Sequence, residues 1–85
     1  MITFTHKISD VNGLHARNAI CLMRTAMDYD CMISVTCNGK TADAKQVLAL
    51  MGLGVKCGEE LTFCLEGAQE KQAAEHLKAL AGQML

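Results

Sequence analysis

Residues 31–42, CMISVTCNGKTA, contain a strand, a tight turn and the beginning of a second strand. The apolar positions of the first strand alternate with the others and are Cys31, Ile33, Val35 and Cys37. This period of two is typical of a half-buried strand. Asn38-Gly39 follows at once and is a strong hairpin signal, because both residue types tolerate positive φ. A short return strand is therefore predicted over residues 40–42, which gives an antiparallel pair.

The rest of the chain continues the same two kinds of pattern. Apolar residues also alternate over residues 2–8 and 61–66, which predicts two further strands. Over residues 16–27 and 73–84 they recur instead every three or four positions, the spacing of amphipathic helices. A brief helix is predicted over residues 45–51, just before two closely spaced glycines. The predicted order of elements is β-α-β-β-α-β-α.

This order restricts the architecture. Strands with one apolar face need a single layer of helices to cover them, and the other sheet face then meets water. We therefore expect an α+β fold: an open-faced two-layer sandwich with a four-stranded antiparallel sheet covered on one face by three helices. The chain has 85 residues and contains no proline, linker or repeat that would divide it, so a single domain over residues 1–85 is expected.

The composition argues against several classes of function. Eight basic and nine acidic residues give a net charge of −1, whereas nucleic-acid binding usually needs a clustered basic surface. An RNA-binding sheet also needs exposed aromatic residues, and both phenylalanines have inward strand parity. The first ten residues lack the pattern of a signal peptide, and no apolar run is long enough to cross a membrane. A cytoplasmic protein without membrane insertion or nucleic-acid binding is expected.

Five cysteines raise the question of disulfides or a metal site. They are Cys21, Cys31, Cys37, Cys57 and Cys64. The number is odd, there is no CxxC pair, and structural zinc ligands usually come in closer pairs than any found here. We therefore expect no metal site and mostly reduced, core-filling cysteines. Cys57 in a loop and Cys64 with outward strand parity are the two candidates for a reactive thiol.

The stretch GLHARN at residues 13–18 places His15 and Arg17 where a loop becomes a helix. The first amides of a helix, here those of Ala16, Arg17 and Asn18, lack internal partners and carry partial positive charge. Such a site binds anions, and arginine adds a fork suited to phosphate oxygens. The same positive charge disfavours imidazolium, so His15 is expected to be a neutral nucleophile that can carry phosphate transiently. A capping or merely solvent-exposed histidine is the alternative.

Four motifs together carry a resemblance that covers essentially the whole chain. They are GLHARNA at 13–19, NGKT at 38–41, the KxVLxLMxLG pattern at 45–54 and CGEEL at 57–61. In these motifs the sequence resembles the HPr family, the histidine-containing phosphocarriers of the phosphoenolpyruvate-dependent sugar phosphotransferase system. The first motif is similar to the family's active-site signature, G-[LIV]-H-A-R-P-A.

The resemblance implies a stoichiometric phosphoryl carrier, which is not an enzyme and needs no cofactor. His15 matches the histidine phosphorylated through Nδ1, and Arg17 matches the arginine that contacts the phosphoryl group. The group would come from phospho-enzyme I and pass to enzyme IIA of a sugar transporter, and the carrier would be a monomer. The implied docking surface comprises Ile20, Met23, Arg24, Lys45, Val47, Leu48 and Met51, with Arg24 and Lys45 at its edge.

The sequence departs from the family pattern at two positions. Asn18 stands where the family usually has proline; it restores an N–H but is expected to loosen the first helical turn. Gln46 stands where many Gram-positive relatives have a serine that a regulatory kinase phosphorylates, so no regulatory phosphosite is expected there. Asn18 also leaves open an alternative function, a regulatory binding module that docks without obligatory phosphotransfer.

Overall fold

The computed structural model describes residues 1–85 and contains four strands and three helices. These elements are β1 (Ile2–Lys7), α1 (Ala16–Met27), β2 (Met32–Cys37), β3 (Lys40–Asp43), α2 (Val47–Gly52), β4 (Glu60–Glu66) and α3 (Glu70–Met84). The predicted order β-α-β-β-α-β-α is confirmed.

All four strands join one antiparallel sheet in the order β1-β4-β2-β3. Phe63 of β4 lies opposite Phe4 of β1 and Val35 of β2, so it occupies the middle of the sheet. The rings of Phe4 and Phe63 stack with their centroids 4.6 Å apart. Because both rings face the covered side, the strands expose no phenylalanine to solvent.

The three helices cover one face of the sheet and fill the core between the layers. Each contributes fully buried side chains, such as Leu22 from α1, Leu50 from α2 and Leu77 from α3. The opposite face carries small polar side chains, among them Thr5, Ser34 and Thr62, and stays partly or fully exposed. The predicted open-faced α+β sandwich is therefore confirmed. None of the helices combines the length and the apolar character needed to cross a membrane.

Local turn chemistry explains how the hairpin forms and where α2 begins. Asn38 and Gly39 both have positive φ, 52° and 79°, as the predicted tight turn between β2 and β3 requires. Asp43 then accepts the Lys45 N–H on Oδ1 at 2.9 Å and the Gln46 N–H on its carbonyl oxygen at 3.0 Å. These bonds form a turn, so α2 starts at residue 47 and the sequence-based start at residue 45 is wrong.

The cysteines divide as their strand parity predicts. Cys31 and Cys37 are buried, and burial raises the pKa of both thiols. Cys64 is half-buried on the outer face and Cys57 is exposed in the loop after α2. Cys57 Sγ lies 3.7 Å from the carbonyl oxygen of Ser9. All five are free thiols.

Candidate functional site

The first turn of α1 presents unpaired amides next to His15. His15 has extended backbone angles, φ −132° and ψ 179°, and stands immediately before the first helical residue. The first backbone bond of the helix runs from the Ala19 N–H to the His15 carbonyl oxygen at 2.8 Å. The amides of Ala16, Arg17 and Asn18 donate to no backbone carbonyl, and this turn contains no acidic residue. The partial positive charge of the helix end is therefore available to an anion.

Asn18 ties the loop to the helix. Its side chain is buried, with only 2% exposed. Oδ1 accepts the His15 backbone N–H at 2.8 Å, and Nδ2 donates to the Gly13 carbonyl oxygen at 2.9 Å. The expectation that asparagine loosens this turn is wrong, because its carboxamide satisfies one donor and one acceptor that proline would leave to other groups. Asparagine thus holds the turn by hydrogen bonds where the family's usual proline holds it by a fixed φ.

The opposite side of the His15 loop, residues 10–15, is packed against the segment that follows α2. Gly13 has φ +67°, and a Cβ at this position would come within 2.2 Å of the Val55 carbonyl oxygen. That same oxygen accepts the Leu14 N–H at 3.0 Å, and the Gly58 N–H donates to the Ile8 carbonyl oxygen at 2.8 Å. Only glycine combines this backbone angle with so close an approach to the Val55 carbonyl oxygen, and Gly13 therefore fixes how the loop packs on this segment.

A carboxylate that the sequence patterns did not identify faces the histidine ring. Asp10 Oδ2 lies 3.3 Å from His15 Nε2, and both side chains are about one-third exposed or less. Asp10 Oδ1 accepts the Asn12 N–H at 2.8 Å. The Asn12 amide, followed by His15, lowers the pKa of Asp10, and the charge of Arg17 acts in the same direction. The sequence identified Asp10 only as a turn residue. Hydrophobic periodicity does not show in which direction a turn residue points its side chain, so the contact with the His15 ring was not predicted.

Arg17 is free to meet a ligand. It is exposed and takes part in no hydrogen bond or ion pair within the protein. Its positive charge contributes to the lowered pKa of Asp10. His15 and Asn18 have the reciprocal geometry of a capping box, which puts the imidazole on the side of the Asn18 amide. A charged, unpaired arginine in the first turn is a group that suits phosphate oxygens.

Six of the residues expected to dock lie on α1 and α2, and we call them the α1–α2 surface. It comprises Ile20, Met23 and Arg24 from α1 and Val47, Leu48 and Met51 from α2. Leu48 is 82% exposed, and Ile20 and Met51 are exposed as well. Met23 and Val47 are partly buried against the core and anchor the surface to it. The two helices that carry these six residues pack against each other.

Lys45, the seventh residue expected to dock, lies in the turn just before α2. Its Nζ donates to the Tyr29 carbonyl oxygen at 2.9 Å, beyond the C-terminal end of α1. The 12-residue helix is about 18 Å long, and His15 stands at its other end. Gln46, at the N-terminus of α2, is exposed and carries no hydroxyl group.

Comparison with known proteins identifies the family. A family model described as "PTS HPr component phosphorylation site" matches residues 2–83. The chain belongs to the HPr family. Curated HPr proteins agree over most of their length. The Vibrio cholerae phosphocarrier protein HPr is 44% identical over 78 residues, which are 92% of each chain. That of Haemophilus influenzae is 42% identical over 69 residues, 81% of each chain.

Solved HPr structures have the same fold. The crystal structure of HPr-C-His from Thermoanaerobacter tengcongensis superposes with a TM-score of 0.92 at 32% identity, covering 98% of this chain and 93% of that one. The histidine-containing phosphocarrier protein of Mycoplasma superposes with a TM-score of 0.91 at 30% identity, covering 93% and 90%. The fold and the phosphotransferase-system membership inferred from the motifs are both confirmed.

Proposed function

We propose that this HPr-family phosphocarrier accepts a phosphoryl group on His15 from phospho-enzyme I and passes it to an enzyme IIA domain of a sugar transporter. The observation that carries the proposal is the position of His15 at the open, positively polarised start of α1, with the unpaired Arg17 two residues further along in the first turn. Motif matching alone predicts a histidine in this family, whereas the geometry supplies groups that suit phosphate.

The site supports a simple transfer in each direction. The lone pair of His15 Nδ1 forms a bond to phosphorus while the bond from phosphorus to the donor histidine breaks and returns its electron pair to that ring. The phosphoryl oxygens then meet the first-turn amides and Arg17, which stabilise the charge of the transition state and of the phosphohistidine. The reverse sequence gives the group to the acceptor. His15 is partly exposed, so two different partners can reach it in turn.

The α1–α2 surface supports docking of these partners. It joins exposed apolar side chains with Arg24 at the margin, and its methionines adapt to differently shaped surfaces. Both partners would use this surface in succession, with the carrier acting as a monomer in the cytoplasm and without a cofactor. Because Gln46 has no hydroxyl group, control by phosphorylation of that residue is excluded from the proposal.

Incubation with phosphoenolpyruvate and enzyme I tests the assignment of His15. The wild type and His76→Ala, which removes another exposed histidine, should each gain the mass of one acid-labile phosphate. His15→Ala should gain none while keeping the circular dichroism of the wild type. A wild-type protein that stays unphosphorylated under these conditions would sink the proposal.

The same variant separates carriage from regulation. If His15→Ala still binds its physiological partner and still complements a deletion of the gene, the chain acts as a regulatory docking module. If binding persists but complementation is lost, transfer through His15 is the function that the cell uses.

A further inference from the structure

The pairing of Asp10 with His15 carries an inference about which ring nitrogen reacts. We propose that Asp10 is a positioning residue: its carboxylate holds the imidazole in the Nε2–H tautomer, so that Nδ1 keeps its lone pair for phosphoryl transfer. The inference rests on the proposed function of His15, but the tautomer itself is a property of the unphosphorylated protein and is measured without any partner.

The carboxylate is held in place by its own turn. Oδ1 accepts the Asn12 N–H at 2.8 Å, and the Asp10 carbonyl oxygen accepts the Gly13 N–H at 2.9 Å. Oδ2 is thereby directed at the ring, 3.3 Å from Nε2. An ionised carboxylate only accepts hydrogen bonds, and the pKa of Asp10 is lowered, so this group is ionised at neutral pH. Nε2 must therefore carry the proton that it shares with Asp10.

Asn18 fixes the backbone that carries the ring. The His15 N–H is bonded to Asn18 Oδ1 at 2.8 Å, and the capping-box geometry sets the imidazole beside the Asn18 amide. Asp10 and Asn18 therefore contact His15 from two sides, one through the ring and one through the main chain. With Nε2 protonated, the lone pair of the neutral ring is on Nδ1, on the side of the unpaired amides.

The proton stays where it is throughout the transfer. The Nδ1 lone pair forms the bond to phosphorus, the bond to the donor breaks, and the positive charge that develops on the ring is delocalised toward Nε2–H. That charge faces Asp10, whose carboxylate stabilises it. An aspartate orienting a catalytic histidine in the serine-protease triad acts on the tautomer and the developing imidazolium in the same way.

Two substitutions at position 10 separate this role from turn formation. In Asp10→Asn the side-chain oxygen can still accept the Asn12 N–H, which turns the NH₂ group toward Nε2 and favours the Nδ1–H tautomer. In Asp10→Ala the turn bond and the carboxylate are both lost, and the ring takes the tautomer mixture of free imidazole. A residue needed only for its turn predicts the opposite order, with Asn behaving like the wild type and Ala impaired.

The experiment measures the His15 tautomer by ¹⁵N–¹H correlation at about pH 8, where an ordinary imidazole is neutral, and the rate of phosphorylation by enzyme I and phosphoenolpyruvate. The wild type should show Nε2–H, and Asp10→Asn should shift toward Nδ1–H. The rate should fall about tenfold in Asp10→Asn, the lower end of what losing such a partner costs a metal-bound histidine, and less in Asp10→Ala. Asp43→Asn is the control, because Asp43 makes the equivalent turn to Lys45 N with no histidine beside it.

Two results would overturn the inference. One is a wild-type ring that already has the proton on Nδ1. The other is an Asp10→Asn variant with the wild-type tautomer and rate, while His15→Ala still abolishes phosphorylation. Failure of the proposed function looks different, because the wild type itself then takes up no phosphate whatever its tautomer.

Discussion

In the His15 loop, Asp10, Gly13 and Asn18 take part in hydrogen bonds of 2.8 to 3.3 Å. In the α1–α2 surface, by contrast, Leu48 is 82% exposed to solvent. The first region is fixed by specific hydrogen bonds, whereas in the second only Met23 and Val47 are partly buried against the core.

The difference corresponds to two physical demands. Phosphoryl transfer depends on distances of tenths of an ångström, so the loop gains from bonds that leave it a single seating. Recognition of the two proposed partners depends on apolar contact that adapts, so the surface gains from exposed apolar side chains and from flexible methionines. The contrast predicts that substitutions in the loop reduce stability, while substitutions in the surface affect partners and spare the fold.

Gly13→Ala should be the most damaging change to the loop. A Cβ would meet the Val55 carbonyl oxygen at 2.2 Å on a backbone with φ +67°. The free energy of unfolding should fall by about 3 kcal/mol, from backbone strain and overpacking together. Urea unfolding followed by circular dichroism measures this. Gly82→Ala is the control, because Gly82 lies in α3 with open space around it, and it should gain up to about 1 kcal/mol.

Asn18→Ala should come next in the same measurement. It leaves the His15 N–H and the Gly13 carbonyl oxygen without their partner, which costs about 2 kcal/mol. Asn18→Pro should lose less than the alanine variant, because a fixed φ suits the first helical turn. Asn12→Ala removes an exposed side chain with no hydrogen bond of its own and should change stability by less than about 0.5 kcal/mol. Equal free energies of unfolding for Asn18→Ala and wild type would contradict a stabilising role for the Asn18 hydrogen bonds.

Leu48→Ser should have the smallest effect on stability and still impair the carrier. The side chain is exposed, so the free energy of unfolding should stay within about 0.5 kcal/mol of wild type. The KM for phosphorylation by enzyme I should rise about tenfold, because an apolar docking contact is lost. Met32→Ser is the matched control, since Met32 is 77% exposed on the outer sheet face. A similar KM rise in both variants would show that the docking surface does not lie on α1 and α2.

Much of this architecture followed from patterns in the chain. Alternation and helical spacing predicted five of the seven elements, Asn38-Gly39 predicted β3, and the segment before two glycines predicted α2. These signals depend on near neighbours in sequence. The position of His15 at a helix start followed in the same way. The order of strands in the sheet did not, since no local pattern records which strand lies next to β4.

The features that the sequence did not predict have a common physical origin, which is the hydrogen bonding of individual polar side chains. The side chains of Asp10 and Asn18 can hydrogen-bond either to solvent or to a backbone or ring group several residues away. Which partner they bind depends on the conformation of the loop. The conformation of the loop in turn depends on Val55, which is distant in sequence. The start of α2 was misplaced for the same reason, because Asp43 competes with the helix for the amides of Lys45 and Gln46.

The bond from Leu14 N–H to the Val55 carbonyl oxygen links the His15 loop to the segment directly following α2. Opening of that segment by local unfolding breaks this bond, so the order of the His15 loop is coupled to that of the segment. A partner that docks on α2 is expected to suppress this opening and so to order the His15 loop before the proposed phosphoryl transfer. The exchange rate of the Leu14 amide with solvent deuterium reports on docking and on the order of the site at once.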